Sequence, residues 1–263
     1  MPKFNPDSQP NINDLIIEEP QKEQEPTDVS FDPIDIFTNT DWYTLENLAK
    51  RGDGHGEDRD IIMPNSALAI IDKERLNMDD SMENKILEGL KKYTEKGGGL
   101  QSMAWASYIS PDFLKISDED LKKVVENGNK EMAEDKERNS WRHFIEPVAW
   151  LTLIGQRPEL SQEDFENIEK CLISQDSGAY LIEVGAAMSI IYPDYPLRFS
   201  QEKTDKIKAF LKECVGGRWG GGEWYMFSAM AKIVADKCRE VNARKPKEGL
   251  AQETPSMPEQ KEF

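Results

Sequence analysis

Few residues in this chain have the type and spacing that chemistry needs. There are two histidines and three cysteines in 263 residues. His143 precedes Glu146 by one helical turn, so a helix would set imidazole and carboxylate on one face. That is the arrangement of an acid–base pair, although a surface histidine that caps or bridges locally is the simpler reading. Asp53, His55, Glu57, Asp58 and Asp60 crowd a glycine-containing stretch. Alternating acids offer oxygen donors to a hard cation, but the spacing misses the calcium-loop pattern, and a solvated acidic loop explains it. Cys171, Cys214 and Cys238 form no CxxC pair, and two histidines without a neighbouring thiol do not make a zinc set. No nucleophile-elbow, HExxH or kinase-type motif is present. The expectation is no metal, no cofactor and no catalytic residue that can be named.

The stretch Gly216-Gly217-Arg218-Trp219-Gly220-Gly221-Gly222-Glu223-Trp224-Tyr225 is the most unusual in the chain. Its glycines permit positive φ and close backbone approach. A phosphate loop would need a preceding strand and a GK[ST] ending, and both are missing. It reads either as a long turn whose tryptophans pack back onto helices, or as a loop that contacts a ligand or partner, since Trp and Arg are enriched at interface hot spots.

The elements that position these residues repeat. Polar caps at Thr40, Asp79, Ser117, Ser161 and Ser200 each open a segment with helical apolar spacing. A turn follows, then a second, more apolar segment carrying Ala67, Ala104, Ala149, Ala187 or Ala229. The caps are 39, 38, 44 and 39 residues apart, and a near-constant period of this size marks α-hairpin repeats. The longest period gains its extra residues between Asn127 and Ser140. Ser161-Gln162-Glu163 recurs as Ser200-Gln201-Glu202, and serine N-capping accounts for it. The fold class is all-α, about five stacked helical hairpins forming an α/α solenoid or a partial toroid with disordered termini.

A hairpin cannot hide its own apolar stripe, so hairpins stack and bring equivalent turns to one edge. Stacking in register predicts a rim built from Trp141, Arg142, His143, Tyr180, Arg218, Trp219, Glu223, Trp224 and Tyr225. That rim is the candidate binding surface.

Fifty acidic residues against 33 basic ones give a net charge of −17. Such a surface repels nucleic-acid phosphate and anionic lipid. The expected partner is therefore another protein, with no nucleic acid and no membrane, and the chain is expected to be a monomer. Sparse unpaired cysteines fit a reducing compartment, and no apolar run reaches membrane-spanning length, so the expected location is cytoplasmic. Residues 1–38 and 244–263 are rich in Pro, Glu, Gln and Lys and read as disordered tails, which leaves 39–243 as the repeat domain. Leu15-Ile16-Ile17 and Ile34-Asp35-Ile36-Phe37 interrupt the first tail. They are straps that dock on the domain or short motifs for a partner's groove.

Tyr180 follows Ser174-Gln175-Asp176-Ser177-Gly178, and Trp219 follows Gly216-Gly217. A helix, a Gln/Asp/Gly turn ending in an aromatic, then an Ala-rich helix resembles the repeats of α/α toroids, the folds of protein prenyltransferase β-subunits and terpenoid cyclases. The likeness covers Ser161 to Val234 and, more loosely, Asp79 to Tyr108. Glu213 stands where a cyclase-type repeat carries Gln. Asn77-Met78-Asp79-Asp80 echoes the cyclase DxDD acid poorly and reads as a cap. No trio matches the prenyltransferase zinc ligands, and five hairpins are counted where such toroids close with six. HEAT-like solenoids fit the period equally. The resemblance implies architecture and carries over no catalytic residue.

The expected function is a protein-interaction or scaffold module. The alternative is an enzyme, or a degenerate relative of one, on an α/α toroid, binding an apolar or carbohydrate-like ligand in a central cavity lined by Trp105, Trp150 and Tyr225. A third reading is an assembly protein whose tails do the docking.

Overall fold

A computed structural model describes residues 31–51, 59–215 and 224–243 of the chain. These residues form ten α-helices and no strand. The helices are α1 (Asn39–Arg51), α2 (Arg59–Ile71), α3 (Asp80–Thr94), α4 (Leu100–Ile109), α5 (Asp118–Glu137), α6 (Trp141–Leu153), α7 (Gln162–Ser174), α8 (Gly178–Ile191), α9 (Gln201–Val215) and α10 (Trp224–Ala243). They pair as five consecutive hairpins, the repeat that the spacing of caps predicts.

The second helices α4 and α8 are apolar on nearly every side. α4 carries no charged residue, and α8 carries only Glu183. A helix of that kind has to be covered all round. The even-numbered helices therefore meet one another: α2 packs on α4, α4 on α6, α6 on α8, α8 on α10, and α10 returns to α2. They form a closed ring, so the open-solenoid alternative is not the arrangement adopted. Ala67, Ala104, Ala149, Ala187 and Ala229, one per ring helix, are all buried. Side chains this small let neighbouring backbones approach closely.

The odd-numbered helices are amphipathic and lie outside the ring. α3 touches α2 and α4, α7 touches α6 and α8, and α9 touches α8 and α10. Each thus covers the seam between two ring helices. Connections are short, with residues 138–140 joining α5 to α6 and residues 175–177 joining α7 to α8. Such turns make antiparallel pairs, so the ring helices run parallel and their N-termini share one end.

Caps set the start of each outer helix. Asp79 accepts from the Met82 amide, and Ser117 from the Asp120 amide at 3.1 Å. Ser161 and Asp164 form a full capping box. Asp164 is also met at 2.6 Å by Lys136 of α5, which ties the third hairpin to the fourth. Burial raises the Asp164 carboxyl, but the bonds from Lys136 and Ser161 outweigh it and hold the group below the usual carboxylate range. The first cap is not Thr40. Thr38 takes that role, accepting from the Asp41 amide while Asp41 accepts from the Thr38 amide and hydroxyl. Thr40 lies inside the first turn, because the Thr38/Asp41 pair fits the capping-box spacing. The extra residues between Asn127 and Ser140 are helical as well. They lengthen α5 to 20 residues, with Gly128 leaving room for Leu100 and Leu151.

Residues 31–38, which composition assigns to the leading tail, belong to the packed body. Phe31 is buried, and a 3-10 turn spans Pro33–Ile36. Phe37 sets its ring 4.8 Å from Trp42 of α1 and 5.4 Å from Trp224 of α10. Arg239 of α10 holds Asp32 at 3.4 Å and donates to the Phe31 carbonyl. This strap therefore joins the last hairpin to the first. Averaged polarity hides four apolar residues placed to reach both. Among the described residues the packed body takes in Phe31 to Phe37 ahead of residue 39.

No helix among the described residues is long and apolar enough to cross a membrane.

Candidate interaction site

The end of the ring where the second helices begin carries the described candidate residues. α6 opens at Trp141 behind Ser140, which makes no side-chain capping bond. Arg142 and His143 fall in that first turn, and Tyr180 stands in the first turn of α8. Because α6 and α8 are ring neighbours running the same way, Arg142 reaches Tyr180. Its guanidinium carbon lies 3.5 Å from the ring centroid, a stacked cation–π contact. The same guanidinium meets Glu183, one turn further along α8, at 2.8 Å through Nη2 and 3.0 Å through Nε. Trp141 turns the other way, its ring edge-on to Phe144 at 5.2 Å.

An open groove of about 510 Å³ lies between the start of α6 and the face of α7. Ser140, Trp141, Arg142 and His143 line one side, and Asn167, Lys170, Cys171 and Ser174 the other. Burial pushes the Cys171 thiol up, so it stays protonated. His143 is exposed. It has no hydrogen bond to Glu146 among the described residues, so the acid–base pair does not form. Glu146 instead sinks between α6 and α8. Burial, then the nearby Glu183 carboxylate, push it up to about 7 against the partial relief of Arg142. The spacing of His143 and Glu146 flagged Glu146 for the wrong partner. The signal that would have found the right one is Glu183, the only charge on α8.

Trp224 and Tyr225 are not on this groove. Tyr225 is 4% exposed in the core with Ala229, and Trp224 packs on Phe37 and Tyr225. They seal the joint between the last hairpin and the first. Arg218, Trp219 and Glu223 lie outside the described residues, as do residues 52–58 of the acidic loop. Among the described residues no group of His, Cys, Asp and Glu is placed to hold a metal ion. Trp105 and Tyr225 of the expected cavity are core residues, and Trp150 packs beside them half-buried.

A smaller pocket of about 170 Å³ lies between α1 and α2, lined by Glu46, Asn65, Arg75 and neighbours. Arg75 pairs with Glu46 at 3.0 Å and covers Trp42 at 4.3 Å.

The sequence matches no known protein-family model, and no solved structure matches the fold.

Proposed function

We propose that this protein is a protein-interaction or scaffold module, and that it works through the groove between α6 and α7 at the end of the ring where the second helices begin. The observation that carries the reading is Arg142 locked on Tyr180 and Glu183 at the wall of an open groove. A guanidinium held from two sides loses little further freedom on binding, which favours a contact surface. Tyr180, stacked under Arg142, is among the exposed large hydrophobic residues. The partner is another protein, and the net charge argues against nucleic acid and anionic membrane. Monomeric, cytoplasmic use fits three cysteines that are all free thiols. The test is affinity capture with the full chain and with Lys170→Glu/Tyr180→Ala. A partner retained by the first and lost by the second supports the reading, and equal capture by both removes the groove from it.

The toroid reading has one observation in its favour. The Trp105 indole N–H is buried within the ring without a hydrogen-bond partner. On that reading the N–H would serve a ligand between Trp105 and Trp150. Saturable stabilisation by an isoprenoid or an oligosaccharide, lost in Trp105→Phe, would favour it over the interaction module.

A further inference from the structure

The groove differs in charge from the rest of the chain. Several lysines elsewhere are met by carboxylates: Lys123 by Glu119 and Asp120, Lys206 by Asp176 and Glu202, Lys232 by Asp236, Lys136 by Asp164. The groove is lined by Arg142, His143 and Lys170, and by no carboxylate. Lys170 and His143 make no ion pair or hydrogen bond among the described residues, and both are exposed. Arg142 spends Nε and Nη2 on Glu183 and keeps Nη1 for another acceptor. Ser140 leaves the first amides of α6 without a side-chain cap, which adds positive potential to the same wall. A groove whose lining carries basic side chains and no carboxylate, on a chain of net charge −17, is a selective feature, because the surrounding acids repel any extended polyanion. A short segment bearing a few carboxylates is admitted where a nucleic acid is not.

The groove also has an apolar edge. Trp141 is half-buried on the α6 wall.

We propose that the groove between α6 and α7 binds a short acidic peptide segment of a partner protein. Its carboxylates meet Arg142, His143 and Lys170, and one apolar side chain lies on Trp141. The proposal rests on the interaction-module reading and supplies the chemistry of the partner.

The test is selection from a random-peptide display library on the immobilised full chain, followed by binding of the selected peptides to Lys170→Glu and His143→Glu. Both positions are exposed and unbonded, so the variants keep the melting temperature of the parent. The expected result is enrichment of acidic sequences with a single large apolar residue, each bound at least about tenfold more weakly by the variants and more weakly in high salt. Enrichment of neutral or basic sequences that the variants still lose would overturn the acidic chemistry and leave the interaction reading standing. Selected peptides that bind the variants unchanged would overturn the groove as their site. Failure to select any peptide would overturn both. Displacement of the selected peptides by a synthetic peptide of residues 11–20 at equal concentration would make the chain's own leading segment the occupant and overturn the outside partner.

Discussion

Arg142 of α6 lies 3.5 Å over the ring of Tyr180 in α8 and 2.8 Å from Glu183 one turn below it. One side chain thus ties two ring helices together and forms a wall of the groove. Replacing Arg142 with Ala removes the guanidinium that faces Glu183 and Glu146. Partly buried pairs of this kind cost about 1–3 kcal/mol when one partner is removed. Loss of the positive charge also lets the Glu146 carboxyl climb above its position near 7. Urea titration and carboxyl-carbon NMR titration check the two effects, and Arg142→Lys should recover only part of each because an ammonium does not stack as a guanidinium does.

Glu146 gives the fold a pH dependence of definite sign. Its ordinary value is 4.5, and in the folded protein it is pushed up to about 7 by burial and by Glu183. The folded state therefore binds the proton more tightly than the unfolded chain. Through this group stability falls as pH rises from 4.5 to about 7, and the full penalty remains above that. Glu146→Gln should stabilise the protein at pH 8 by about 2 kcal/mol, a figure reduced for residual solvent screening. The variant should gain nothing below the unfolded value, and thermal melts across the range check the slope.

Gly178 permits the closest approach of α8 to α9. A Cβ there would stand 2.5 Å from the Lys206 carbonyl oxygen and 2.6 Å from the Phe210 Cβ. Gly178→Ala should lower stability by about 2–3 kcal/mol, an overpacking cost that backbone atoms cannot relieve by rotating. Gly155 has nothing within 4 Å but sits at φ +79°, so Gly155→Ala carries the smaller, purely conformational penalty of about 1 kcal/mol. Denaturant midpoints rank the two.

The strap closes the ring. Phe31→Ala removes a buried aromatic that lies with Leu197, Phe199 and Ala235, and should cost about 3 kcal/mol. Hydrogen exchange should then rise first in α9 and α10, where the strap packs.

Much of this architecture is written in the sequence because it rests on local chemistry. Ser117, Ser161 and Asp79 cap where the spacing places them, and five buried alanines mark the ring helices. Ring closure was not legible. It depends on α10 meeting α2, a contact between the two ends of the repeat that no window of residues encodes. Trp224 and Tyr225 were assigned to the rim because they follow the glycine stretch, yet their neighbours Phe37 and Ala229 draw them inward. Glu146 was legible only by its spacing from His143, and Glu183, the carboxylate that acts on it, lies 37 residues away. The strap was legible in part: Ile34-Asp35-Ile36-Phe37 reads as a segment that docks on the domain or on a partner, and its packing on Trp42 and Trp224 selects the first.

The central claim is that the groove between α6 and α7 is where this protein meets a partner. A photo-crosslinking amino acid placed at position 143 tests it directly, with the exposed position 43 on α1 as the control. The account predicts a discrete adduct from position 143 that Lys170→Glu abolishes, and no such adduct from position 43. An identical adduct from both positions, or one from position 143 that survives Lys170→Glu, would contradict it.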